Sequence, residues 1–95
     1  MNQHNRLGGR ANRIFDCELC GHSTRNVNPD AAGSDLCDLC YELCGLCNTV
    51  SDYGADELSA HDRETIADAR PRYALRGDDV LARADKHFAS ELPGF

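Results

Sequence analysis

All six cysteines of this chain fall between positions 17 and 47, arranged as three Cys-x-x-Cys pairs. The first reads Cys17-Glu18-Leu19-Cys20-Gly21, and sixteen residues lie between Cys20 and the first cysteine of Cys37-Asp38-Leu39-Cys40-Tyr41. The third, Cys44-Gly45-Leu46-Cys47, follows almost at once. Two such pairs about 15–20 residues apart are the spacing of a four-thiolate metal site. One pair turns the backbone tightly enough for two sulfurs to grip an ion at about 2.3 Å, and a second pair completes a tetrahedron. The spacing therefore predicts Zn²⁺ held by Cys17, Cys20, Cys37 and Cys40, with one ion expected and two as the alternative.

Size makes the metal matter. Among 95 residues there is no Trp, three Phe and three Tyr, and the 41% hydrophobic fraction counts the cysteines and many alanines. A core so thin is expected to need a metal or disulfides. The opening Met1-Asn2-Gln3-His4-Asn5-Arg6 has no apolar run like that of a secretory signal, and no stretch nears the roughly 20 apolar residues of a membrane span. A cytoplasmic, reducing location is the expectation, and there a Cys-x-x-Cys framework favours metal over disulfides.

Charge points towards a protein partner. The net charge is −6, and its distribution is uneven. Residues 1–36 balance four arginines against four acids, whereas residues 37–95 set six basic groups against twelve acidic ones. That is not the basic footprint of a nucleic-acid binder. Residues 1–13 hold Arg6, Arg10 and Arg13 beside Gly8-Gly9 and read as a flexible basic arm. With Arg25 this arm supports an alternative, a nucleic-acid-binding finger.

Along the chain, Ile14 and Phe15 read as a short strand entering the first knuckle, and residues 22–27 as its return. Gly21 suits a turn where a Cβ would interfere. Asn28-Pro29-Asp30 and Gly33-Ser34 are turn chemistry, so a hairpin or an irregular loop spans the gap. Ser34 or Asp35 is the expected cap of a two-turn helix starting near Cys37 and ended by Gly45. Knuckle, hairpin and helix in that order suggest a treble-clef-like module. After it, residues 56–70 predict a helix capped by Ser59 with Asp62 and stopped at Pro71. Residues 78–92 predict a second helix with Asp78 or Asp79 at its cap. Its apolar stripe is Leu81, Ala84, Phe88 and Leu92. The expected class is a small metal-stabilised α+β fold: an arm (1–13), a zinc module (14–55) and a helical segment (56–95).

Several of these residues resemble a family of short zinc-knuckle proteins encoded by tailed bacteriophages. The similarity covers about residues 16–56. It rests on Cys17-x-x-Cys20-Gly21, Thr24-Arg25, Leu36-Cys37-x-x-Cys40-Tyr41, Gly45, Asn48 and Ser51-Asp52-Tyr53-Gly54-x-Asp56. The resemblance implies a four-cysteine site on Cys17, Cys20, Cys37 and Cys40. Members tend to carry Ala and Glu where this chain has Cys44 and Cys47, and His where Val50 and Ala55 stand.

Cys44 and Cys47 thus stay open to several roles: reduced thiols packed beside the site, second or replacement ligands with His61 or His22, or a thiol redox switch. The spacing Cys40-x-x-x-Cys44-x-x-Cys47 also matches that of iron–sulfur radical enzymes, but the chain is far too short for their barrel. His4, His61 and His87 have no partner spacing. Asp56-Glu57 and Asp78-Asp79 read as helix-cap acids, and the arginines around Tyr73 as a solvated helix face. With no catalytic set in view, the expected function is a non-enzymatic accessory or regulatory module in a phage or mobile-element context, binding a host or phage protein through Leu81, Phe88 and Leu92.

Overall fold

The structure, a computed structural model, describes residues 13–95. Most of the expected basic arm, including Arg6 and Arg10, lies outside the described residues. The chain divides into two compact units between Tyr41 and Glu42.

In the first unit, β1 (Phe15–Asp16) pairs antiparallel with β2 (Ser23–Thr24), Phe15 opposite Thr24 and Asp16 opposite Ser23. The first Cys-x-x-Cys forms the loop between them. The Cys17 N–H donates to the His22 carbonyl and the Gly21 N–H to the Cys17 carbonyl, both at 2.9 Å. Gly21 sits at φ +76°, a left-handed geometry that favours glycine. The gap that follows is irregular: a 3-10 turn at Pro29–Ala31 is capped by Asn28, whose side chain accepts from the Asp30 N–H. Ala31 and Ala32 are buried.

Helix α1 spans Asp38–Tyr53, far longer than the two turns expected. Gly45 is not a stop because its backbone stays out of the left-handed region. A helical glycine costs only about 1 kcal/mol against Ala, too little to end a helix that buries Leu39 and Leu43 on one face. The stop is Gly54 at φ +97°, whose N–H bonds the Val50 carbonyl. Nor do Ser34 or Asp35 cap α1. Ser34 Oγ instead donates to the Ala31 carbonyl and accepts the Leu36 N–H, closing a turn of its own. The residue before the helix is Cys37, and its sulfur takes the Cys40 N–H at 3.4 Å.

The second unit contains the rest of α1, then α2 (Ala60–Arg76) and α3 (Asp78–Phe88). Ser59 caps α2 as its sequence implies, with a reciprocal pair: Ser59 Oγ accepts the Asp62 N–H at 3.0 Å, and Asp62 accepts the Ser59 N–H at 3.1 Å. Pro71 does not stop this helix. Pro71 and Ala67, one turn before it, are both exposed, and Tyr73 beyond it is fully buried. Packing outweighs a local cost of roughly 3 kcal/mol. Gly77, not Asp78 or Asp79, occupies the cap of α3, and those two acids fall in its first turn. The helix ends at Phe88 rather than 92, with Leu92 turned back so that its N–H reaches the Phe88 carbonyl at 2.7 Å.

The apolar stripe assigned to a partner is therefore corrected. Phe88 and Leu92 are buried, and Phe88 stacks on Tyr73 with ring centroids 6.1 Å apart. Phe95 closes over both rings at 6.2 and 5.7 Å. Ile66, Ala69 and Ala84 complete this core, and only Leu81 of the three residues named keeps partial exposure. An amphipathic stripe covers whichever surface lies nearest, and here that surface is α2. The Arg70 guanidinium and the Asp85 carboxylate add a two-pronged ion pair at 2.9 and 3.0 Å on the outside of the same helix pair.

Candidate metal centre

Four side chains define the centre. The Sγ atoms of Cys17, Cys20, Cys37 and Cys40 lie within 4.8 Å of one another, all four residues are buried, and no cysteine is in a disulfide. The Cys20 and Cys37 sulfurs, from different pairs, are 3.8 Å apart. A tetrahedron of sulfurs about 2.3 Å from a central ion has edges of about 3.8 Å. The arrangement thus fits one metal ion bound by four thiolates. Among the described residues, no other group of three or more His, Cys, Asp or Glu gathers ligand atoms in this way.

The two halves use the same local device. In each pair the second cysteine's N–H points at the first cysteine's sulfur, Cys20 to Cys17 at 3.5 Å and Cys40 to Cys37 at 3.4 Å. Amides aimed at sulfur favour the thiolate, and for Cys37 the start of α1 adds the positive end of a helix. Hydrogen bonds between the sulfurs divide the protons. The Cys17 thiol is held well below its ordinary range, chiefly by the hydrogen bond from Cys20 and then by those from Cys37 and Cys40. Cys20, the donor to Cys17, is raised in turn. Cys37 donates to Cys17, which raises it, but hydrogen bonds with Cys20 and Cys40 bring it down to about 6. Cys17 and Cys37 are thus predisposed to shed protons, as metal binding requires of all four thiols.

What holds the second pair against the first is a clip that the sequence does not reveal. Asp38, beside Cys37, accepts three hydrogen bonds: from Asn26 Nδ2 at 3.0 Å and from the N–H groups of Val27 and Asn28 at 2.9 and 3.1 Å. Asn26, itself buried, also donates to the Leu36 carbonyl at 2.9 Å. The available signal was an acid in the first turn of a helix, which reads as an ordinary dipole partner. Its real partners lie ten to twelve residues back, beyond local pattern.

The remaining candidates are elsewhere. Cys44 and Cys47 lie on α1 in the second unit, half-buried. Cys47 is pushed up to about 12 by burial, then by the charge of Glu91 and by a hydrogen bond to it. Glu91 is a contact that sequence reading missed, because it comes from the turns after α3. His22 follows the first knuckle, partly exposed, and His61 and His87 are exposed on α2 and α3. No helix among the described residues is long and apolar enough to cross a membrane. Comparison with protein-family models, curated proteins and solved structures gave no match, so the functional reading rests on the chain's own chemistry.

Proposed function

We propose that Cys17, Cys20, Cys37 and Cys40 hold one structural Zn²⁺ in a treble-clef-like module, and that the protein is a small non-enzymatic accessory factor binding another protein in a phage or mobile-element setting. The observation that carries the metal reading is four buried, unoxidised sulfurs at the spacing of one tetrahedron. All four ligands come from the chain, so a metal there has no open position for water or substrate and acts as scaffolding. Zinc suits a soft four-thiolate set and needs no redox chemistry. The phage-type resemblance around residues 16–56 supports the setting.

Charge favours a protein partner over nucleic acid. The body is acidic, and Arg70 is already paired with Asp85 while Arg76 lies over the Tyr73 ring at 5.3 Å. With Phe88 and Leu92 buried, the apolar surface left for a partner includes Leu75 and Tyr53, both largely exposed.

Native mass spectrometry of the purified chain tests the first half: one zinc per chain is expected, and Cys20→Ser should lose it. Two metals, iron in place of zinc, or none would overturn the reading. For the second half, titration with duplex DNA and RNA at 50 and 200 mM salt should show no salt-sensitive binding. A steep loss of affinity between the two would favour the arginine-based finger instead.

A further inference from the structure

The third Cys-x-x-Cys remains unused by the metal centre, and three observations meet there. Cys44 and Cys47 are three residues apart within continuous helix, both half-buried and neither in a disulfide. Between them stands Gly45, in the helix interior, with open space where a Cβ would be and no left-handed φ to require glycine. Neither packing nor conformation in the reduced form explains a residue that weakens the helix. The third observation is the Glu91 carboxylate, which accepts a hydrogen bond from the Cys47 thiol.

Helix geometry connects them. Residues i and i+3 have Cα atoms about 5 Å apart, inside the range of disulfide-bonded cysteines. Their Cβ atoms stand roughly 5–6 Å apart, whereas a disulfide wants about 3.8 Å, so one turn must tighten before the sulfurs can join. Glycine is the residue that lets a helical turn distort at least cost.

We infer that Cys44 and Cys47 form a reversible intrahelical disulfide by exchange with low-molecular-weight disulfides, Gly45 supplying the local slack and the Glu91 carboxylate holding Cys47 as a thiol until Cys44 has reacted. Cys44, as thiolate, attacks one sulfur of the small disulfide, forming a mixed disulfide and expelling one thiolate. The Cys47 proton passes through solvent to the released thiolate, and the Cys47 sulfur then attacks Cys44, expelling the second thiolate. Two electrons move from the pair to the small disulfide, which leaves as two thiols. A metal at this pair is not the better reading, since among the described residues no third ligand atom gathers with them.

The test uses the full-length protein with its metal bound, equilibrated against graded ratios of oxidised to reduced glutathione. Samples are then quenched with acid and a maleimide, and read by peptide and native mass spectrometry. A mass loss of two hydrogens is expected on the peptide holding Cys44 and Cys47, with the metal retained. Gly45→Ala should need an oxidising ratio at least threefold higher to reach half-oxidation. Glu91→Gln, which removes the charge that holds the Cys47 proton, should close at least threefold faster. The inference fails if the pair stays reduced until metal is lost, if oxidation ends at glutathione adducts, or if both variants behave as the parent. Because metal content is read in the same spectra, failure here is distinguishable from failure of the zinc reading.

Discussion

At the scale of single residues, the two populations of cysteine differ by what their thiols touch. In the cluster, amide N–H groups point at the Cys17 and Cys37 sulfurs, an environment that stabilises thiolate there. Cys47 faces burial and the Glu91 carboxylate, which keep it protonated. Folding raises its pKa towards about 12, so its contribution to stability is complete below the usual thiol range and is lost as pH climbs towards that value. Urea midpoints between pH 8 and 10.5 should therefore fall, and less steeply in Cys47→Ala than in the parent. At pH 8, iodoacetamide should modify Cys47 at least tenfold more slowly than a model peptide thiol; equal rates would contradict the buried, protonated assignment.

At the scale of elements, the informative residues are those that break a local rule. Pro71 sits inside α2 because Tyr73 and Phe88 meet in the core behind it. Pro71→Ala restores a helical N–H but also frees the unfolded chain, so a net gain of about 2 kcal/mol is expected in urea unfolding. Ser59→Ala should cost about 1 kcal/mol by removing the cap. The Ser59–Asp62 box was legible because both partners lie within one turn, and the cysteine quartet because its spacing is a metal pattern. Helix ends were not legible. Gly45 and Pro71 look like punctuation, but the cost of Gly45 is too small to stop α1, and the burial of Tyr73 beyond Pro71 overrules the proline. The stripe of Leu81, Phe88 and Leu92 was visible, but whether it met a partner or α2 depended on a pairing that no periodicity encodes.

At the scale of the whole molecule, the two units are stabilised by different physics. The first contains a two-residue-per-strand hairpin and four buried cysteines, with few large apolar side chains. The second has an aromatic core of Tyr73, Phe88 and Phe95. A chelator strong enough to strip the proposed zinc should collapse the amide signals of residues 14–41 while those of α2 and α3 persist. Phe88→Ala should do the reverse, costing about 3–5 kcal/mol in the second unit. Simultaneous loss of both sets of signals on chelation would refute this division.

The Asp38 clip bears on how the ion comes and goes. By tying residues 26–28 to the start of α1, it closes most of the loop between the sulfur pairs before any ion is present. Much of the entropy of ring closure is thus settled by three hydrogen bonds, and capture becomes a short docking step rather than a search by a loose chain. The same latch slows escape, because an ion freed at one pair still faces the other. Asp38→Ala should leave the stoichiometry at one while zinc passes to a chromogenic chelator several-fold faster; an unchanged transfer rate would mean the latch plays no part in guarding the ion.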